Sequence, residues 1–123
     1  MNQEQAKQFV DQWIAAWNAH DLHAILNHYA DEFEFYSPLI IQLNFNGSGC
    51  ITNRKDLSDY FQAGLNAYPD LHFKLHNFFV GVNTLVIYYT SVNGRMATEV
   101  FQLDEAAKAR NVFCNYSLNP SHY

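Results

Sequence analysis

The sequence predicts an α+β fold in which helices pack against one face of an antiparallel sheet. Residues 4–19 show the periodicity of an amphipathic helix, whereas residues 71–118 consist of apolar segments separated by turn residues. Asn93-Gly94 lies between two of those segments and is typical of a tight hairpin turn. The 123 residues have the length of one domain, so we predict a single domain over residues 1–123.

Three helices are expected. The first covers residues 4–19, where apolar residues recur in steps of three and four. Asp21 is a suitable N-cap for a second, shorter helix with Leu22, Ile25, Leu26 and Tyr29 on one face. Asn53 is suited to cap a third helix, which stops before Pro69.

The remaining segments predict strands. Residues 33–37 alternate imperfectly and end at Pro38, residues 39–46 are expected to continue as an irregular strand, and residues 46–49 form a loop. Successive hairpins then give an antiparallel meander. Its four strands are predicted at residues 71–80, 84–92, 95–103 and 111–118.

The segment Leu85–Tyr89 is apolar on both faces of its predicted strand. A strand with one face in water should alternate between apolar and polar residues. The helices cover one face of the sheet, so a second copy of the chain is expected on the other. The sequence thus favours a homodimer through the sheet, and the alternative is a set of scattered, exposed aromatic residues.

The charge balance excludes several classes of partner. The chain has a net charge of −5, and its basic residues form no cluster larger than Arg54-Lys55, which disfavours binding to nucleic acid or to anionic membranes. The sequence has no apolar run long enough to span a membrane and no signal-peptide pattern. Cys50 and Cys114 are expected to be reduced thiols, so we predict a cytoplasmic protein.

Glu99 is the acid of greatest interest. On a strand it shares one face with Ala97, Phe101 and Leu103, where a carboxylate is costly unless it is paired or protonated. A raised pKa in a cleft would suit a general acid or base. The alternatives are that Glu99 lies at a strand end or pairs with Arg95.

Other residues predict a pocket but no metal site. His72 and His76 would be roughly 13 Å apart on a strand, too far to share one ion. The ordinary interpretation of His72 is a structural, hydrogen-bonded or exposed histidine. Six aromatic residues could line a pocket for a flat apolar ligand, although each could instead be ordinary core. They are Trp13, Trp17, Tyr29, Phe35, Tyr60 and Tyr89.

Several motifs together resemble the SnoaL-like branch of the nuclear transport factor 2-like superfamily, which includes ketosteroid isomerases and polyketide cyclases. The resemblance covers nearly the whole chain and implies a cone-shaped, cystatin-like roll. In that roll a curved sheet wraps a long first helix, leaves a pocket at one end and dimerises through the sheet. The motifs are Trp17-Asn18-Ala19-His20-Asp21-Leu22, Tyr29-Ala30-Asp31-Glu32-Phe33, Pro69-Asp70-Leu71-His72-Phe73 and Glu99-Val100-Phe101.

The resemblance also places this chain's residues at the catalytic positions of ketosteroid isomerases. The tyrosine position falls at Trp13, the base position at Ser37 and the protonated-aspartate position near Glu99. Serine cannot act as that base, so ketosteroid isomerisation by that mechanism is not expected. The resemblance to SnoaL-like cyclases implies catalysis by an aspartate and a histidine, and it makes His72 a candidate pocket base.

Two functions remain open. One is a cofactor-free isomerase, cyclase or lyase acting on a hydrophobic carbonyl compound, with Glu99 as acid or base and Trp13, Ser37 and His72 orienting the substrate. The other is a non-catalytic module that binds a small apolar ligand or acts as a dimeric interaction domain. The missing base at Ser37 favours the second, and Glu99 on an apolar face favours the first.

Overall fold

A computed structural model describes residues 1–118, with four α-helices and a six-stranded sheet. The helices are α1 (Gln3–Asn18), α2 (Leu22–Leu26), α3 (Pro38–Gln42) and α4 (Arg54–Ala67). The strands are β1 (Tyr29–Tyr36), β2 (Cys50–Ile51), β3 (Lys74–Val80), β4 (Thr84–Thr90), β5 (Met96–Leu103) and β6 (Ala109–Tyr116). None of the described helices is long and apolar enough to cross a membrane.

The two longer helices begin at side-chain caps. Asn2 and Gln5 form a reciprocal capping box at the start of α1, with N···O distances of 2.8 and 3.0 Å. Asn53 accepts a hydrogen bond from the backbone N–H of Asp56 at 2.8 Å and starts α4 as predicted. The buried stripe of α1 faces the sheet and consists of Ala6, Phe9, Val10, Trp13, Ala16 and Trp17.

The sheet is curved and unclosed, with the strand order β2-β1-β6-β5-β4-β3. Strands β3 to β6 form the predicted antiparallel meander. The pair β1–β6 is parallel, so the sheet is mixed and not purely antiparallel. After β3 the chain reverses its direction at three successive connections. Strand β6 then lies beside β1 and runs in the same direction as β1. The α+β class and the cone-shaped, cystatin-like arrangement are confirmed.

The Asn93-Gly94 turn is confirmed. Asn93 has φ 58° and Gly94 has φ 69°, which are the positive values that a type I′ turn requires at both central residues. The backbone N–H of Arg95 closes the turn by donating to the carbonyl of Val92 at 3.2 Å. This hairpin fixes the register of β4 against β5 and thus the position of Glu99.

The expected irregular strand over residues 39–46 is wrong, because Pro38–Gln42 is the helix α3. Ser37 is its N-cap and accepts a hydrogen bond from the backbone N–H of Leu39 at 3.2 Å, while Pro38 occupies the first helical turn. The sheet resumes only at the two-residue strand β2. Tyr29 likewise begins β1 and does not belong to α2.

Candidate functional site

A cavity of about 60 Å³ lies between the helices and the inner face of the sheet. Its floor is buried and includes Trp17, Tyr89 and Glu99. Its outer residues include Leu43, which is 42% exposed, and Val92, which is half-buried. In its present form the cavity has room for about four water molecules, so it fits a small chemical group.

The lining of the cavity is mainly aromatic and contains no Lys, Arg or His. Eight of its sixteen residues are aromatic, and Glu99 is its one carboxylic acid. The full set is Trp17, Phe35, Leu39, Leu43, Tyr60, Phe61, Gly64, Tyr68, Leu71, Phe73, Tyr89, Ser91, Val92, Glu99, Cys114 and Tyr116.

Glu99 lies in the middle of β5, on the inner face of the sheet, and is only 4% exposed. Its neighbours across the sheet are Ile87 on β4 and Cys114 on β6. The hydroxyl of Tyr89 donates to Glu99 Oε1 at 2.9 Å, and the thiol of Cys114 is a second hydrogen-bond partner. The predicted face shared by Glu99, Ala97, Phe101 and Leu103 is therefore buried as expected.

The alternatives for Glu99 do not hold. It is not at a strand end, and no ion pair among residues 1–118 includes it. Arg95 instead donates from Nε to the carbonyl of Ser117 at 3.1 Å and lies 5.4 Å from the centre of the Tyr116 ring. Glu99 is thus a buried carboxyl group whose described partners are a hydroxyl and a thiol.

Burial determines the acidity of this group. The pKa of Glu99 is raised from 4.5 to about 7, because desolvation raises it by more than the hydrogen bonds from Tyr89 and Cys114 lower it. Both protonation states are consequently populated near neutral pH. A group with this property can both accept and return a proton, which is what general acid–base catalysis requires.

Trp17 lines the cavity and carries an unsatisfied hydrogen-bond donor. Its side chain packs against Phe61 and Phe73 with ring centroids 5.0 and 5.3 Å apart. Its indole Nε1–H is enclosed and has no hydrogen-bond partner among residues 1–118. A buried donor without a partner costs about 1–3 kcal/mol, so an acceptor oxygen reaching it would be favoured.

The structure brings together five of the nine predicted site residues in this cavity: Trp17, Phe35, Tyr60, Tyr89 and Glu99. Trp13 and Tyr29 do not line it. They pack in the core beside it, where Trp13 Nε1 is 3.4 Å from the Tyr29 hydroxyl oxygen. The Trp13 donor is therefore directed to another side chain of the protein.

Ser37 and His72 also lie outside the cavity lining. Ser37 is buried behind it, within hydrogen-bond reach of Tyr60 and Tyr116, and caps α3. His72 is exposed in a shallow outer groove of about 300 Å³. That groove shares four residues with the cavity: Tyr68, Leu71, Ser91 and Val92.

Several lining residues were not singled out from the sequence, among them Cys114, Tyr116 and Ser91. Cys114 is buried and also contacts the carboxyl of Glu99. The sequence does contain a signal for this face, since Val112, Cys114 and Tyr116 occupy every second position of one strand and so point to the same side. The pairing that sets Cys114 opposite Glu99 is a long-range register, which that alternation does not specify.

The cysteines and metal-ligand residues form no further site among residues 1–118. Cys50 and Cys114 are both free thiols. No three His, Cys, Asp or Glu side chains in this part of the chain lie close enough together to hold a metal ion.

Comparison with known proteins adds the family. The model of the SnoaL-like domain matches residues 10–111. A SnoaL-like protein of unknown function from Burkholderia thailandensis is 39% identical, with a TM-score of 0.89, and the match covers 95% of this chain and 98% of that one. No curated protein matches the sequence.

More distant solved structures share the fold alone. The epoxide hydrolase/cyclase-like enzyme SalBIII, which acts in pyran ring formation in salinomycin, is 14% identical with a TM-score of 0.78, and the match covers 97% and 95% of the two chains. A candidate ketosteroid isomerase from Kribbella flavida is 13% identical with a TM-score of 0.70, and the match covers 94% and 80%. The sequence match and the shared fold agree, and the chain belongs to the SnoaL-like domain family.

Proposed function

We propose that this protein is a cofactor-free acid–base enzyme that acts on a small hydrophobic carbonyl compound. The observation that carries the proposal is Glu99, a buried carboxyl without a cationic partner on the floor of an aromatic cavity. Catalytic carboxyl groups are tuned toward neutral pH by this kind of burial. The named activity of the cyclase-like relative supports chemistry on organic ring compounds without assigning a substrate.

The proposed reaction begins with proton abstraction. The ionised Glu99 carboxylate takes a proton from the carbon next to the substrate carbonyl, and the electron pair of that C–H bond moves to form an enolate. The protonated Glu99 then returns the proton to another carbon, or to an oxygen, of the same intermediate. The proton that leaves the substrate returns to it through Glu99, so the scheme needs no oxidant and no metal.

The enolate oxygen needs a donor, and we propose Trp17 Nε1–H, because Trp17 lines the cavity and this donor has no partner among residues 1–118. Tyr89 is already engaged as the donor to Glu99, which holds the carboxyl in place. A donor placed for the developing negative charge contributes to catalysis by electrostatic stabilisation. His72, in the outer groove, is proposed to contact the substrate only where it leaves the cavity.

The test is hydrogen–deuterium exchange at the carbon next to the carbonyl in a panel of small aromatic and alicyclic ketones. The wild-type protein is compared with Glu99→Gln and with the matched control Glu105→Gln, which alters an exposed acid. We expect exchange above the buffer rate for wild type and Glu105→Gln, and exchange at least about 10²-fold slower for Glu99→Gln. Equal exchange rates for wild type and Glu99→Gln would rule out Glu99 as the acid–base group.

A second candidate is a binding module that holds a small apolar or aromatic ligand without turnover. Ser37, which by resemblance falls at the base position of ketosteroid isomerases, favours it because a hydroxyl cannot replace a carboxylate. Native mass spectrometry that finds a ligand bound to wild-type protein, together with exchange at the buffer rate for every ketone, would select this function.

A homodimer through the outer face of the sheet is proposed for either function. One apolar row crosses five strands of that face, in the register Phe79, Val86, Val100, Phe113 and Tyr36. Phe79 is 55% exposed and Phe113 is 45% exposed, and the Tyr36 ring stacks on Phe113 with centroids 5.2 Å apart. A continuous exposed apolar patch of this kind is typical of a protein interface.

Phe113→Asp is expected to convert the dimer to a monomer, because each subunit would place a charge in the buried centre of the interface. Sedimentation velocity at micromolar concentration measures the change. Val82→Asp is the control, since Val82 is 90% exposed but lies in a turn away from the row. The control should sediment as the wild-type dimer, and a wild-type monomer would refute the interface.

A further inference from the structure

The cavity combines aromatic walls with one buried acid, and this chemistry is not restricted to carbonyl compounds. Rings from both long helices and from several strands surround it, including Trp17 on α1, Tyr60 on α4 and Tyr89 on β4. The Phe73 and Tyr89 ring centroids are 4.8 Å apart, so the walls are closely packed. The carboxyl of Glu99 is on the same surface, without a Lys, Arg or His in the lining.

These features satisfy the two requirements for binding an alkylated ammonium ion. Aromatic faces attract a cation through their quadrupole, and the attraction reaches about 2 kcal/mol or more when the site is desolvated. A carboxylate supplies a full opposite charge, and the absence of basic residues leaves that charge uncompensated. The net charge of −5 adds a favourable long-range field for a cation.

We infer that the cavity binds a small alkylammonium ion, with its methyl groups against the aromatic walls and its charge beside Glu99. This is a ligand class beyond the neutral carbonyl compound proposed above, and it requires the same cavity but no turnover. A neutral ligand has no charge to pair with the Glu99 carboxylate, and an anionic ligand would be repelled by it. An alkylammonium ion satisfies the charge and the apolar surface together.

The size of the cavity agrees with such a head group. Room for about four water molecules corresponds to the four heavy atoms of a trimethylammonium group. The remaining part of the ligand would extend past Leu43 and Val92, the more exposed residues of the lining. The outer groove beyond them carries polar residues, including Asp70, His72 and Asn93, which suit a hydroxyl group.

Binding of the cation should depend on pH through Glu99. The titratable groups around Glu99 are Tyr89 on β4, Cys114 and Tyr116 on β6, Tyr60 on α4 and Tyr29 on β1. Burial raises the pKa of each of these phenols and of the thiol, so they stay neutral through the physiological range. Glu99 is therefore the group among them that gains a negative charge as the pH rises through about 7.

The test compares choline with 3,3-dimethylbutan-1-ol, a neutral molecule of the same shape in which carbon replaces the nitrogen. Calorimetry and quenching of tryptophan fluorescence measure the affinity of the intact chain for both at pH 8 and pH 5.5. At pH 8 we expect choline to bind at least about tenfold more tightly than the neutral alcohol, consistent with a charge-dependent contribution of about 1.4 kcal/mol. At pH 5.5 protonation of Glu99 should remove its contribution, so the preference should fall to the part that the aromatic walls supply.

Variants separate the charge of Glu99 from its packing. Glu99→Gln is expected to lower the preference for choline at pH 8 to the level of wild type at pH 5.5 while retaining the affinity for the neutral alcohol, which shows that the cavity is intact. Glu105→Gln should behave as wild type. Equal affinities of the two probes for wild type at pH 8, no binding of either, or an undiminished preference in Glu99→Gln would overturn the inference. The ketone exchange result is independent of all these outcomes, because it measures turnover.

Discussion

Glu99→Gln is expected to lower the rate of substrate proton exchange by 10²- to 10⁴-fold, which is the usual contribution of a general acid–base group. Glutamine keeps the shape and the hydrogen-bonding capacity of the protonated acid, but it cannot take up a proton. The cavity, the aromatic walls and the Tyr89 hydroxyl stay in place. The loss should therefore appear in kcat more than in KM.

The pH profile adds a signature that a structural role would not produce. Proton abstraction needs ionised Glu99, so kcat/KM of wild type should rise with pH and level off above about 7. The residual activity of Glu99→Gln should lack this transition, whereas Glu105→Gln should keep it. A wild-type profile that is flat between pH 5 and 8 would contradict the assignment.

Stability should also depend on pH through Glu99. Its pKa is 4.5 in ordinary surroundings and about 7 in the folded chain. Between these pH values the unfolded chain loses the proton and the folded chain retains it, so the free energy of unfolding falls as the pH rises. Above pH 7 both forms are ionised, and the accumulated loss is about 3 kcal/mol.

Chemical denaturation of wild type and Glu99→Gln at a series of pH values measures this effect. The difference in free energy of unfolding between the two should shift by about 3 kcal/mol in favour of Glu99→Gln between pH 4.5 and pH 8. Glu105→Gln, which alters an exposed acid, should track wild type at every pH. A constant difference between wild type and Glu99→Gln would mean that the carboxyl is ionised at little cost.

The sequence was sufficient to predict the elements whose signals are local. Asn53 caps α4, Asn93-Gly94 makes the type I′ turn, and the alternation around Glu99 places that side chain on the buried face. In each case neighbouring residues determine the conformation. The acid at the centre of the site could thus be identified before the fold was known.

Features that depend on distant parts of the chain were missed. The parallel pairing of β1 with β6 joins segments more than 70 residues apart, and no local pattern encodes it. The helix α3 was missed for another reason. Ser37-Pro38 has the N-cap and first-turn residues of a helix, but the apolar residues that follow were interpreted as a strand.

The candidate site was only partly predictable from the sequence. A cavity is the space that packed side chains leave empty, and that packing depends on residues from distant parts of the chain. Trp13 and Trp17 lie four residues apart on one face of α1, yet Trp17 lines the cavity and Trp13 is enclosed in the core. Helical periodicity puts both inside and does not distinguish them. The ring packing of Trp13 against Phe73, Tyr89 and Phe101 makes the difference.

The most direct test of the account is the titration of Glu99 itself, followed by carbon-13 NMR of the side-chain carboxyl in labelled protein, with Glu99→Gln used to assign the signal. The buried aromatic environment predicts a midpoint of about 7 for this carboxyl. A midpoint close to 4.5, the ordinary value for a glutamate in water, would contradict the account, because burial in the cavity would then not raise the pKa of this carboxyl.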